Sequence, residues 1–257
     1  MPPVTAPVMA GAEPFSATGG PEGALVLHGF TGNPHSVRGV AEKLADAGLS
    51  VELPLLPGHG TALEDMVETR WADWSAAAED AYLGLAARCR AVVVVGLSMG
   101  GTLSCWLAER HRQIAGLALV NPLVKPPDDE LRSAIKELLD SGTPVAPGIG
   151  SDIAMPGAHE ITYDGTPLAA VLSLFAGTED VADALCEIHC PVLLLSSRED
   201  HVVDPANGDL LMASVSGPAE RVWLERSYHV ATLDYDRDEV EERVAAFATG
   251  VVAGAEA

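Results

Sequence analysis

Residues 91–110 read AVVVVGLSMGGTLSCWLAER. The valine run bounded by a glycine predicts a strand over 91–95, because β-branched side chains suit a pleated sheet better than a helix. Thr102 to Arg110 can then wind as a helix, and Ser98 sits on the turn between the two. In the spacing Gly96-x-Ser98-x-Gly100 the chain turns so sharply that the serine takes a strained backbone conformation, while a side chain at either glycine would collide with the neighbouring strand or helix. The turn leaves Ser98 Oγ exposed at a helix N-terminus. Such a pentapeptide also arises as a plain tight turn with an idle serine; here strand and helix both flank it, so the stretch predicts a nucleophile.

Outward from this turn, apolar runs alternate with helical patterns. GALVLH (23–28), LSVEL (49–53), AGLALV (115–120), PVLLLSS (191–197) and RVWLE (221–225) read as further strands. Most are almost wholly apolar, as strands covered on both faces of a parallel sheet must be. Helices are expected near 36–47, 71–88, 179–188, 205–215 and 236–249. The alternation predicts an α/β fold with a mostly parallel, doubly wound sheet. Met1 to Gly20 and the Gly/Ala-rich tail are expected to be mobile.

One stretch breaks the alternation. From Lys125 to Gly177 come the amphipathic pattern DDELRSAIKELLDSG, a Pro/Gly-rich segment and a second apolar pattern, TPLAAVLSLFAG. Leu131, Ile135, Leu138 and Leu139 share one helical face, which must cover something apolar. The division expected is core over 1–124, a small cap inserted after the sixth strand over 125–177, and core again over 178–257. An insertion there lies over the ligand end of the sheet, although a packing excursion without ligand contact gives the same pattern.

With 257 residues, 48% of them hydrophobic, the chain can bury a sizeable core. Acidic residues outnumber basic ones 37 to 15, and the net charge of −22 repels phosphate backbones and anionic lipid. Nucleic acid is therefore excluded as a partner. No apolar run reaches the length of a membrane span, which leaves transient contact of the cap with lipid rather than stable insertion. MPPVTAPVMAGAEPF lacks the basic start and apolar core of a signal peptide, so a cytoplasmic protein is expected. The four cysteines, Cys89, Cys105, Cys186 and Cys190, form no CxxC pair, and Cys186, His189 and Cys190 offer too few ligands to close a metal site.

A serine hydroxyl attacks only when a base removes its proton, and the base works best when a carboxylate fixes its tautomer. REDHVVDP follows PVLLLSS and RSYHVATLDYD follows RVWLE, so Asp200 and His229 lie just past the carboxyl ends of successive predicted strands, on the same sheet edge as Ser98. Glu199 and Asp204 are rival acids, although Asp204 ahead of Pro205 is the ordinary start of a helix. His28 falls in HGFTG, where an oxyanion loop is needed instead of a base, and His59 in LPGHGT holds a turn. The negative oxygen of a tetrahedral intermediate needs two N–H donors, one from the residue after the nucleophile, Met99, and one from the early glycine loop, Phe30. Gly29 and Gly32 would let that loop approach the substrate, or would merely make the turn.

HGFTGNPHSVR, LPGHGT, GLSMGGTL, IGSD, EDHVV and SYHVATLDYD together resemble the bacterial monoacylglycerol lipases and their close relatives, the small carboxylesterases of the α/β-hydrolase superfamily. The resemblance runs from about Gly11 to Phe247 and is weakest in the middle of the cap. It implies a triad of Ser98, Asp200 and His229, oxyanion donors at Phe30 and Met99, ester hydrolysis through an acyl-serine, and neither metal nor organic cofactor. A monoacylglycerol needs an apolar tunnel with polar groups at its head end. Ile149, Val171, Leu174 and Phe175 could line the tunnel, and Glu160 would suit a hydrogen bond from a glycerol hydroxyl, unless it is a solvated surface carboxylate. The expected activity is monoacylglycerol hydrolysis, with broad short- and medium-chain carboxylesterase activity as the alternative. Acyl transfer would use the same triad. A binding protein on this fold would need none of the three residues.

Overall fold

The computed structural model describes residues 6–254. Seven strands of the described residues form one sheet: β1 (Phe15–Ala17), β2 (Glu22–Leu27), β3 (Ser50–Leu53), β4 (Ala91–Leu97), β5 (Ile114–Val120), β8 (Val192–Ser197) and β9 (Ala219–Leu224). Their order is β1-β3-β2-β4-β5-β8-β9. Only β1 runs antiparallel. The central strands β2, β4, β5 and β8 are buried almost throughout, which accounts for their continuous apolar sequence.

Helices cover both faces. α1 (Arg38–Asp46) and α8 (Arg237–Gly254) pack on one side through Val40, Leu44, Val240 and Val244. α3 (Trp71–Ala86), α4 (Met99–Arg110), α6 (Leu168–Ala184) and α7 (Ala206–Ser214) take the other, where Trp74, Tyr82, Leu103 and Val181 are buried against Leu25, Val94 and Leu119. Burying a large side chain stabilises by about 1.5–3 kcal/mol, so these two seams dominate the stability of the core. Trp74 also donates Nε1–H to the Pro57 carbonyl at 3.1 Å, which fixes the loop after β3 beneath the glycine loop after β2. No helix among the described residues is long and apolar enough to cross a membrane.

Several sequence expectations are corrected. The segment before residue 20 is ordered from residue 6: Met9 N–H donates to Gly60 O at 2.8 Å, Ala12 is buried, and β1 pairs with β3. Residues 1–5 and 255–257 of the two ends expected to be mobile lie outside the described residues. The insertion leaves the core after β5, the fifth strand in chain order and not the sixth, because the chain ahead of β2 contributes only one short strand. It contains α5 (Asp129–Asp140) and a two-stranded antiparallel pair, β6 (Val145–Pro147) with β7 (Gly165–Pro167). The apolar pattern before residue 177 and the helix expected from 179 are one helix, α6, with no break between them. α2 (Leu63–Val67) is a single short helix with no clear periodicity in sequence.

α5 starts where Asp128 accepts the Leu131 N–H at 2.8 Å, and Asp129 and Glu130 follow in the favourable first turn. Its apolar stripe is covered only in part. Ile135 is buried and Leu139 half-buried, while Leu131 and Leu138 are about half exposed, at 47% and 43%. The exposed Leu131 has a different task, since it forms part of the cavity wall over Ser98.

Candidate active site

β4 delivers Ser98 to its turn at φ 55°, ψ −119°, a left-handed conformation that a non-glycine residue holds only when its surroundings impose it. The surroundings are tight. A Cβ at Gly96 would overlap the carbonyl of Gly100, and one at Gly100 would overlap the carbonyl of Leu27. Helix α4 starts immediately after the serine, at Met99, three residues earlier than the sequence pattern suggested. The first N–H groups of a helix have no intrahelical acceptor, so that of Met99 is available beside Ser98 Oγ.

The glycine loop after β2 approaches from the other side. A Cβ on Gly29 would lie 3.3 Å from Ser98 Cβ, which brings the backbone of Gly29 and Phe30 against the serine. Phe30 is held by edge-on contacts with His59 and Trp74, at centroid separations of 6.3 and 5.6 Å. His28 and His59 are fully buried below it. His28 Nδ1–H donates to the Gly29 carbonyl at 3.0 Å and its Nε2 accepts the Leu56 N–H at 3.2 Å, a neutral tautomer that shapes the loop. Burial and the neighbouring His59 lower the His28 pKa to about 3; burial also lowers that of His59 to about 4. Both imidazoles are neutral at neutral pH and bond backbone groups of the loops, His28 at Gly29 and Leu56 and His59 at Pro57. Gly32 serves differently from the expectation: a Cβ there would lie 2.7 Å from Glu160 Oε1, so the glycine makes room for that carboxylate.

Asp200 and His229 meet beyond the ends of β8 and β9. His229 Nδ1 lies 2.7 Å from Asp200 Oδ2, and both side chains are almost inaccessible. The other oxygen of Asp200 accepts the N–H groups of Val202 and Val203 at 2.9 and 2.7 Å, which fixes its plane. Asp204 instead accepts the Ala206 N–H at 2.8 Å just ahead of α7, while Glu199 is exposed. Ser98 and His229 line one cavity of about 500 Å³, although no hydrogen bond joins them among the described residues. Such bonds are often long until a substrate is seated.

The cavity divides chemically. Leu123, Val171, Leu174 and Phe175 form an apolar wall, joined by Ile149, which is 53% exposed and sits at the rim. Glu160 lines the same cavity and accepts a hydrogen bond from Ser36 Oγ; burial raises its pKa, against the opposing effects of Ser36 and His229. It is a screened carboxylate and not a solvated surface one. No group of three or more His, Cys, Asp or Glu among the described residues is arranged to hold a metal ion.

Sequence reasoning missed a supporting set. Asn121, at φ 43° after β5, receives the Ser197 N–H on Oδ1 at 2.8 Å and donates Nδ2–H to the His229 carbonyl at 2.8 Å. Asp234 is fully buried and accepts the N–H groups of Ala154, Met155 and Tyr228 at 2.7 to 2.9 Å. Asp152, in the quoted IGSD, bonds the loops after β8 and β9. The available signal was position: each polar residue follows a strand or sits in a quoted motif without a task of its own.

The serine aminopeptidase S33 family model (Hydrolase_4) matches residues 21–236. A thermostable monoacylglycerol lipase of Bacillus sp. strain H-257 is 45% identical over 241 residues, 92% of this chain and 94% of that protein. A carboxylesterase of Bacillus subtilis strain 168 is 27% identical over 91% of this chain and 95% of that protein. Among solved structures, one from a study of the metagenome-derived lipolytic enzymes LipS and LipT aligns with a TM-score of 0.91 at 39% identity, covering 95% of this chain and 100% of that one. With its mostly parallel sheet, its strained serine turn and these relatives, the chain belongs to the serine aminopeptidase S33 (Hydrolase_4) family of α/β-hydrolases.

Proposed function

We propose that the protein hydrolyses carboxylic esters, monoacylglycerols foremost, to a fatty acid and glycerol. The observation that carries this reading is a single cavity lined by Ser98, by His229 bonded to Asp200, by an apolar wall and by the screened carboxylate Glu160. The likeness to a monoacylglycerol lipase supports the choice of ester.

In this mechanism Ser98 Oγ attacks the ester carbonyl as His229 Nε2 takes its proton, and Asp200 holds the ring in the Nδ1–H tautomer and stabilises the imidazolium. The Phe30 and Met99 N–H groups receive the developing oxyanion; a donor of this kind typically contributes a factor of 10²–10³ in rate. His229 then returns the proton to the departing glycerol oxygen, leaving an acyl-serine. Water, activated by the same histidine, attacks that acyl group and releases the fatty acid. Glu160 accepts a glycerol hydroxyl while the acyl chain lies along Leu123, Val171, Leu174 and Phe175. Likeness to a carboxylesterase favours a second reading, in which any ester with a short or medium chain is accepted.

The test compares kcat/KM for a medium-chain monoacylglycerol with that for the methyl ester of the same acid. A shared acyl chain cancels tunnel effects and leaves the head group as the difference. A ratio well above one supports the lipase reading; a ratio near one moves the function to the general esterase.

A further inference from the structure

Asp152 belongs to the inserted segment between β5 and β8, far in sequence from either loop it touches. Its Oδ2 accepts the His229 N–H at 3.0 Å and the His201 N–H at 3.1 Å. Its Oδ1 lies 2.8 Å from His201 Nδ1, and its own carbonyl accepts the Val230 N–H at 3.1 Å. His201 directly follows Asp200. One carboxylate oxygen thus receives an N–H from His229 itself and one from the residue beside Asp200. It fastens together the two loops whose side chains must keep their 2.7 Å bond. Its side chain is 14% exposed and lines the cavity, without being needed to cap a helix.

We propose that Asp152 is a positioning residue for the Asp200–His229 pair, clamping the loops after β8 and β9 from the insertion, and that His201 is the outer arm of the clamp. The inference rests on the proposed roles of Ser98, Asp200 and His229. Displacements near 1 Å at a reacting group can cost two orders of magnitude in rate, so a clamp bonded to the backbone of His229 itself and to the residue beside Asp200 has leverage on kcat. It acts through His229 and not on the acyl chain or head group, so its loss should affect all esters alike.

The outer arm makes the clamp sensitive to pH. Burial pushes the Asp152 carboxyl up, but the His201 ring and the His201 and His229 N–H groups outweigh it and hold the carboxyl below its usual range. The bond to Asp152 and its charge raise the exposed His201 imidazole above its ordinary value, with Glu199 and Asp200 adding to the effect. The Tyr228 ring packs on His201 edge-on, with ring centroids 4.6 Å apart. As pH rises past the His201 pKa, its ring loses the charge-assisted bond while both backbone bonds to Asp152 persist.

The experiment measures kcat and KM on an aryl butyrate and on a monoacylglycerol in wild type, Asp152→Ala, Asp152→Asn and His201→Gln, with Ser98→Ala alongside. The expected results are a kcat lower by roughly 30-fold in Asp152→Ala on both esters, with KM changed less than about threefold, and partial recovery in Asp152→Asn. In wild type, kcat should decline across the alkaline limb where His201 loses its proton, and that limb should be absent in His201→Gln. Unchanged kcat in Asp152→Ala, or an alkaline limb that persists in His201→Gln, overturns the proposal. If Asp152→Ala does not fold, the His201→Gln profile decides, because that variant keeps both backbone bonds. Full activity in Ser98→Ala would bring down the catalytic reading itself; loss there with unchanged Asp152 variants brings down the clamp alone.

Discussion

His229 Nδ1 lies 2.7 Å from Asp200 Oδ2, while Asp204, four residues on, spends its carboxylate on the N–H of Ala206 at the start of α7. Two nearby aspartates therefore predict opposite outcomes. Asp200→Asn should lower kcat by up to about 10⁴ through the wrong imidazole tautomer, with little change in melting temperature. Asp204→Asn should leave kcat near wild type and lower stability by about 1 kcal/mol or less. Steady-state kinetics and thermal melts on the pair check this, and the reverse pattern would transfer the acid role to Asp204.

Glu160 faces the cavity beside His229, with Ser36 as its hydrogen-bond donor. Glu160→Gln replaces a charge-assisted bond to a glycerol hydroxyl with a neutral one, a loss of roughly 1 kcal/mol, or several-fold in kcat/KM. A methyl ester has no such hydroxyl. The monoacylglycerol to methyl ester ratio should therefore fall several-fold in the variant. A ratio that does not move removes Glu160 from head-group binding.

The buried pair His28 and His59 predicts acid lability. Their folded pKa values, about 3 and about 4, lie below the ordinary 6.5. The unfolded chain takes up protons there first, so stability present above pH 6.5 is lost as pH falls from 6.5 towards 4. The melting temperature should drop by roughly 5 °C or more between pH 7 and pH 4.5. His59→Asn should flatten that slope; an unchanged slope would show that His59 does not titrate on unfolding.

Glu109 gives the opposite sign. Its side chain is only 3% exposed, Oε1 has no hydrogen-bond partner, and burial raises its pKa to about 8. The folded state holds its proton longer than the unfolded one, so its contribution is full below about pH 4.5 and lost as pH rises through 8. Glu109→Gln should raise the melting temperature by roughly 3 °C at pH 9 and by nothing at pH 5. Equal melting temperatures at pH 9 would refute the buried, protonated carboxyl.

The sheet was legible because its strands are buried on both faces and so must be apolar, and the serine turn because Gly96 and Gly100 have no room for a Cβ. Strand ends placed Asp200 and His229 on one sheet edge but left Glu199 and Asp204 as rival acids, and the contacts of His229 Nδ1 with Asp200 and of Asp204 with Ala206 tell them apart. The insertion was harder. Leu131 and Leu138 carry a helical apolar period yet stay half exposed, and of the two only Leu131 lines the cavity. β1, three residues long, has too few positions to show alternation. Asp152, Asn121 and Asp234 act by accepting or donating to backbone groups of distant loops, contacts that leave no periodicity in the chain.

The most direct measurement titrates the enzyme with a fluorophosphonate, maps the adduct by peptide mass spectrometry, and follows monoacylglycerol hydrolysis on the same samples. Such a probe reacts with a serine whose proton a neighbouring base removes. The account predicts one adduct per chain, on Ser98, with hydrolysis falling in direct proportion and reaching zero at full labelling. Hydrolysis that survives complete labelling of Ser98, or an inactivating adduct on another residue, would contradict it.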